Sequence, residues 1–216
     1  MTCIGSRTEE AASMKKIFTL CAFLFALMTC AAWADAKLPM VSYKCLICEK
    51  YFFSFVGDSL DTDEINDPDI QLKKVFKLSN RGENFPACSS NFKAHVFEKK
   101  TAGRKPISEV AQNMDRIAVI KDGSNLRGIT LSMWHCLAPD CSSGRGPFYT
   151  LNDDSLMLRD WEQQIDKIIS MKGGRKIPKC QSRWTWGHAF YRYKKDVPVK
   201  SYEIATIAYD LFYVKN

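Results

Sequence analysis

The sequence predicts an α+β fold: a mainly antiparallel sheet, one long amphipathic helix over about 155–172, and disulfide bonds that staple the domain. Three observations support this prediction. Several apolar runs alternate or are β-branched and are separated by turn residues, as antiparallel strands are. Between 155 and 172 the apolar residues recur at helical spacing. Six cysteines follow an N-terminal segment that resembles an export signal.

That N-terminal segment has the pattern of a secretory signal peptide. Lys15 and Lys16 precede an apolar run, and small residues then offer cleavage near Ala34 or Ala36. The apolar run is about twelve residues, whereas a membrane-spanning helix needs about twenty. The predicted organisation is therefore an over-extended start at 1–13, a signal peptide at 14–36, and a single exported globular domain at 37–216. The mature chain is expected in the periplasm or outside the cell, without a membrane span.

The strands and short helices follow from local patterns. Leu38 to Tyr43 is an extended lead, and the dense apolar stretch 47–56 suits a strand or a helix equally. The segment "ISEVAQNM" predicts a brief helix capped by Ser108. Two strands, 117–121 and 126–134, flank an Asp-Gly turn and predict a β-hairpin.

The long helix is predicted from one apolar stripe with charged residues on its other face. A pair of glycines ends the pattern, and the stripe should pack on the sheet. The stripe residues are Leu158, Trp161, Ile165, Ile168 and Ile169.

Cysteine number and compartment together predict disulfides. The six cysteines beyond the cleavage region are Cys45, Cys48, Cys88, Cys136, Cys141 and Cys180. An even number in an exported chain indicates a closed set of bridges. The sequence does not fix the connectivity. We expect a local bridge between Cys136 and Cys141, a long-range bridge between Cys88 and Cys180, and a third bridge between Cys45 and Cys48.

The same cysteines allow two alternatives. Cys45 and Cys48 have the spacing of a thiol–disulfide oxidoreductase centre. With Cys136 and Cys141 they could instead form a four-thiolate zinc site, in which His135 could replace one sulfur. Because no hydrolase motif surrounds any of the three histidines, we predict no catalytic residue and no cofactor, and we do not expect an enzyme.

Charge points to an anionic partner. The chain carries a net charge of +7, and basic residues interleave with aromatic ones from about 172 to 195. Arg183, Tyr191 and Arg192 are the predicted binding residues in this stretch, and the alternation of "SRWTWGHAFYRYKKD", 182–196, predicts that they lie on a strand. The expected partner is an anionic envelope polymer or a protein, and nucleic acid is not expected.

One resemblance concerns the N-terminus. A signal peptide followed by Cys45-x2-Cys48 and "EKYFFSF" resembles, over 14–56, the start of envelope components of conjugative type IV secretion systems. It implies an envelope-associated protein. Together these observations favour an exported, disulfide-stabilised binding domain of the bacterial envelope that contacts an anionic polymer or a secretion-machine partner. A thiol–disulfide oxidoreductase is the alternative, and a zinc-stabilised module is third.

Overall fold

Four small antiparallel sheets, built from ten strands, dominate the computed structural model of the chain. The structure describes residues 36–58, 60–142, 146–152, 154–183 and 187–215. Almost all of the predicted signal peptide therefore lies outside the described residues. The described residues belong to one compact unit, Asp35–Asn216.

The first half of this unit contains a three-stranded sheet, a two-stranded sheet and short helices. The larger sheet has the strand order β2-β1-β4, and β3 pairs with β5 in the smaller one. The strands are β1 Lys37–Cys45, β2 Tyr51–Phe55, β3 Val75–Lys77, β4 Phe97–Pro106 and β5 Ala118–Ile120. The helices are α1 Thr62–Ile65, α2 Pro68–Lys74 and α3 Ile107–Gln112, with single 3₁₀ turns at Leu78–Asn80 and Met114–Arg116.

The second half repeats this arrangement. Its larger sheet has the order β7-β6-β9, and β8 pairs with β10. The strands are β6 Asn125–Cys136, β7 Phe148–Leu151, β8 Ile168–Ser170, β9 Phe190–Lys200 and β10 Phe212–Val214. The helices are α4 Trp161–Lys167 and α5 Ser201–Thr206.

The five strands and two of the helices of each half correspond in order, whereas α1 and the two 3₁₀ turns of the first half have no helical counterpart among the described residues of the second. In both, a central strand lies between a short partner and a long edge strand, and a seven-residue helix runs directly into a three-residue strand. In both, the long edge strand runs directly into a six-residue helix. The chain therefore contains an internal structural repeat, which the sequence patterns did not predict.

Three clusters of buried apolar side chains form the core of the described structure. One belongs to the first half and includes Phe52, Phe85 and Phe97. One belongs to the second half and includes Trp134 and Phe148. The largest takes residues from both halves, so each half completes the interior of the other.

The predicted long helix is wrong, and with it the α+β class. Within 155–172 only α4 is helical, and it passes directly into strand β8. Ile168 and Ile169 belong to that strand, where β-branched residues pack well on a pleated surface. Trp161 is 39 % exposed, while the buried residue of the helix is the polar Gln164. The chain is sheet-rich with short helices.

The predicted hairpin also does not form. Strands cover both of its arms, but β5 pairs with β3 of the first half, whereas β6 pairs with β7 and β9 of the second. The Asp-Gly turn is thus the crossing from one half to the other. Among the helices of the described ranges, none has the length and apolar character needed to span a bilayer.

Candidate metal centres

Each half brings three cysteines and one histidine together. In the first half these are Cys45, Cys48, Cys88 and His95, and their ligand atoms all lie within 4.8 Å of one another. Cys45 ends β1, Cys48 lies in the turn to β2, and the other two residues lie in the segment that leads into β4. Because β1 and β4 are neighbours in the larger sheet, the segment that carries Cys45 and Cys48 lies beside the segment that carries Cys88 and His95.

Two similar turns present sulfurs to the first cluster. The amide of Cys45 donates to the carbonyl of Lys50 (3.0 Å), and Glu49 between them has a left-handed backbone with φ 59°. The amide of Cys88 donates to the carbonyl of Lys93 (2.6 Å), and Phe92 has φ 57°. In each turn the left-handed residue reverses the chain, so that backbone amides lie around the cysteine.

A backbone carbonyl orients the imidazole of His95, and one buried glutamine holds the backbone of this residue. Its Nε2 lies 3.1 Å from the carbonyl oxygen of Pro86, which can only accept, so Nε2 carries the proton. Nδ1 is then a free lone pair and lies 3.6 Å from Cys48 Sγ. Gln71, in α2, accepts from the His95 amide (3.1 Å) and donates to Ile65 O (3.3 Å). The Pro86 carbonyl thus fixes the tautomer of the ring, as the partners of metal-binding histidines do, whereas Gln71 holds the backbone that carries it.

The second half repeats this geometry in the cluster formed by Cys136, Cys141, Cys180 and His188. His188 Nε2 lies 2.8 Å from the carbonyl oxygen of Pro178, and Nδ1 lies 3.6 Å from Cys141 Sγ. Gln164, in α4, accepts from the His188 amide at 2.5 Å and also donates to the His188 carbonyl. In both halves the glutamine and histidine are 24 residues apart.

The distances match a tetrahedral zinc site. With Zn–S of about 2.3 Å and Zn–N of about 2.0 Å, tetrahedral geometry separates two sulfurs by about 3.8 Å and a sulfur from a nitrogen by about 3.5 Å. The Sγ atoms of Cys136 and Cys180 are 3.9 Å apart. The two Sγ–Nδ1 distances are both 3.6 Å. Each cluster could therefore hold one ion with four protein ligands.

Burial sets the ionisation of these groups. It raises the pKa of the Cys48 thiol, and it raises that of Cys136 to about 11. Burial opposes ionisation at Cys45 too, but hydrogen bonds from backbone amides outweigh it and lower that pKa. Burial lowers the pKa of both His95 and His188, which keeps the imidazoles neutral at neutral pH, as metal ligation requires.

The disulfide prediction is wrong for all six cysteines, since none of them is bonded to another sulfur. A bridge requires two sulfurs at about 2.05 Å, and within each cluster three sulfurs surround a common centre instead. Cys88 and Cys180, the predicted long-range pair, belong to different clusters. The even count arises from three cysteines in each half.

The predicted four-thiolate zinc grouping is replaced by two sites. Cys45 and Cys48 lie with Cys88, whereas Cys136 and Cys141 lie with Cys180. His135 is outside both clusters and stacks on Tyr191, with ring centroids 5.9 Å apart. Sequence reasoning did not identify His95 and His188 as ligands. Both halves nevertheless contain Pro-x-Cys followed by His-x-Phe, a repeated signal that was available in the letters.

The three predicted binding residues do not share a surface. The amide of Arg183 donates to Asp140 Oδ2 (3.2 Å), close to the second cluster. Arg192 lies over the ring of the buried Trp134, 5.2 Å from its centroid. Tyr191 is 41 % exposed and stacks on His135. Successive side chains of a strand alternate between its faces, so Tyr191 and Arg192 point to opposite sides of β9.

Comparison of the chain with protein-family models, with curated proteins and with solved structures finds no match.

Proposed function

We propose that this chain is a binding protein whose halves are each held by one structural zinc ion, and that its ligand is an anionic polymer. The convergence of three thiols and one oriented imidazole in each half supports the zinc sites. A sulfur-rich tetrahedral set favours zinc among the common divalent metals. Because four protein ligands close the coordination shell, the ions would have a structural rather than a catalytic role.

The thiol–disulfide oxidoreductase is less well supported. A redox pair needs two sulfurs that can bond to each other and to a substrate. Cys45 is fully buried, and its sulfur and that of Cys48 lie within 4.8 Å of the ligand atoms of Cys88 and His95. A bound zinc ion would occupy both thiolates.

The zinc proposal is tested by counting metal in the purified full chain. Native mass spectrometry and elemental analysis should find two zinc ions per chain, with the six thiols of the two clusters alkylated only after the metal is removed. Cys88→Ser should lower the count to one by emptying the first site. Cys180→Ser should do the same at the second site, and the double variant should hold none.

His135→Gln is the matched control, because His135 is the one histidine outside both clusters. It should keep two zinc ions. Three disulfides in the native protein, or two zinc ions retained by the double cysteine variant, would contradict the proposal.

The charge of the chain supports the anionic ligand. Each of the long edge strands β4 and β9 carries four Lys or Arg residues and one acidic residue. Together they have a net charge of +6, against +7 for the whole chain. Most residues of both strands are exposed. Basic side chains also protect sheet edges from aggregation, but the near-complete segregation of net charge favours a binding surface.

Retention on heparin and polyphosphate tests this second part. The double variant Lys194→Gln/Lys195→Gln in β9 should elute at lower salt than the parent chain. Lys73→Gln/Lys74→Gln, which removes the same charge from exposed positions of α2, is the control and should elute close to the parent. Equal shifts for the two variants would mean that only net charge matters.

Export and a role in a secretion machine remain proposals, supported by the sequence of 14–56. Cell fractionation with N-terminal sequencing of the product should find the chain cut near Ala34 or Ala36, in the periplasm or the medium. Uncut protein confined to the cytosol would contradict export.

A further inference from the structure

The outer face of the β7-β6-β9 sheet carries a group of adjacent aromatic rings. His135 is paired in register with Tyr191, and Met133 is paired with both Tyr149 and Lys194. Side chains of residues paired across strands lie on the same face of a sheet. These five residues therefore share one face, on the opposite side from the buried Trp134.

Tyr193 completes this group. It lies at an irregularity of the β6–β9 register and is not paired. Its ring nevertheless lies 4.5 Å from the ring of His135, centroid to centroid. Burial raises the pKa of Tyr193, and the charge of Tyr191 adds to the effect. We call Tyr149, His135, Tyr191 and Tyr193 the aromatic face.

Two of the four rings are exposed, whereas His135 and Tyr149 are half-buried and Tyr149 packs against the largest apolar cluster. Tyr191 is 41 % and Tyr193 is 37 % exposed. Lys194 lies on the same face and is exposed, in a strand whose net charge is positive. Flat rings beside cations suit a ligand that combines stacking groups with negative charge.

The first half shows that the fold does not require these rings. Its larger sheet has the same strand order and the same kind of register irregularity. At the corresponding positions relative to the histidine ligand it has Glu98 in place of Tyr191 and Lys100 in place of Tyr193. Those two form an exposed ion pair of 2.5 Å, and Glu98 is paired in register with Lys44. The halves thus share their metal geometry but differ at this surface.

We propose that the aromatic face binds single-stranded nucleic acid, whose bases stack on Tyr191 and Tyr193 while Lys194 contacts a phosphate. This inference rests on the proposed anionic-polymer function and names the polymer. A single strand offers an exposed π-face at each base and one negative charge at each phosphate. The inference departs from the sequence-based expectation that nucleic acid is not a partner. That expectation was made without the register of β6 and β9, which shows that Tyr191 and Tyr193 share a face with Lys194.

Fluorescence anisotropy of the zinc-loaded full chain tests the inference with three probes: a labelled thymidine 12-mer, an abasic strand with the same number of phosphates, and an acidic glycan as competitor. Stacking contributes about 1–3 kcal/mol per base, which corresponds to about 5- to 150-fold in affinity. The 12-mer should therefore bind at least about 5-fold more tightly than the abasic strand. Tyr191→Leu and Tyr193→Leu should each reduce this difference, and the double variant should remove most of it, while affinity for the abasic strand stays unchanged.

Tyr51→Leu is the matched control, because Tyr51 is 48 % exposed on the sheet of the first half, in register with Lys44. It should leave all affinities unchanged, and a zinc count of two should verify the folding of each variant. Equal affinity for the 12-mer and the abasic strand would overturn this inference while leaving anionic-polymer binding intact. Failure to bind any probe would overturn both. Tighter, tyrosine-dependent binding of the acidic glycan would make a glycan the ligand and overturn the nucleic-acid assignment.

Discussion

Asp58 should make the stability of the protein depend on pH in an unusual direction. Its carboxyl is 8 % exposed, and its Oδ2 accepts from the amide of Ile120 (3.1 Å). Oδ1 has no hydrogen-bond partner among the described residues. The nearby hydroxyl of Ser201 donates to the carbonyl of Ile120 instead (3.1 Å). Burial raises the pKa of Asp58 to about 7, from an ordinary value of 3.8.

The sign and size of the effect follow from this pKa. A carboxyl whose pKa is higher in the folded state favours folding when protonated, so its ionisation destabilises the fold. The penalty is absent below the unfolded pKa of 3.8, grows as the pH rises, and is complete above about 7. A difference of about 3 pKa units corresponds to about 4 kcal/mol at pH 8, and to about 2 kcal/mol at pH 5.5.

Asp58→Asn removes the ionisable group and keeps an oxygen that can accept from Ile120. Urea unfolding of the zinc-loaded protein should show that the stability difference between variant and parent grows by about 2 kcal/mol in favour of the variant between pH 5.5 and 8. Comparison at each pH cancels the metal contribution, provided that zinc counts agree. Asp122→Asn, at an exposed aspartate of the crossing turn, is the control. A constant difference across this pH range would refute the reasoning.

Three further predictions concern the metal sites. Gly187→Ala should lower the zinc count from two to one, because a Cβ there would lie 2.6 Å from Trp161 Cβ. Gly103→Ala is the control and should keep two zinc ions, because a Cβ there would have nothing within 4 Å. Equal loss of zinc from the two variants would contradict this prediction. Gln71→Leu should weaken zinc binding at the first site alone, by up to about 1–3 kcal/mol, because it leaves the buried backbone amide of His95 without its hydrogen-bond acceptor. Chelator competition measures this, and unchanged affinity would argue against a positioning role. Removal of both ions with a strong chelator should abolish cooperative thermal unfolding by circular dichroism, and an unchanged melting curve would show that the ions do not hold the fold.

Local patterns in the sequence located strands better than they located partners. The alternation of "DRIAVI" and "NLRGITLSMW" does correspond to strands β5 and β6. Their pairing could not be predicted, because an Asp-Gly turn fits a hairpin and a crossing between halves equally. The helical stripe failed at Ile168 and Ile169, where pairing with β10 outweighs helical periodicity.

The candidate sites were only partly accessible to sequence reasoning. Cys45-x2-Cys48 was recognised as a group that could ligate metal, but Cys88 and His95 join it only through tertiary structure. Disulfide pairing already explained the even number of cysteines. His95 and His188 were therefore not predicted as metal ligands. Alignment of the two halves of the chain would have paired His95 with His188 and Gln71 with Gln164, because each glutamine precedes its histidine by 24 residues.

The apolar cluster that takes residues from both halves has a consequence for metal uptake. Metal binding at the first site should order strand β1. Leu38 and Met40 of that strand pack in the same apolar cluster as Leu126 and Ile129 of β6 in the second half. Part of the ordering entropy needed by the second site is then already lost before its ion arrives. Loading should therefore be positively cooperative, with singly loaded chains scarce when zinc is limiting.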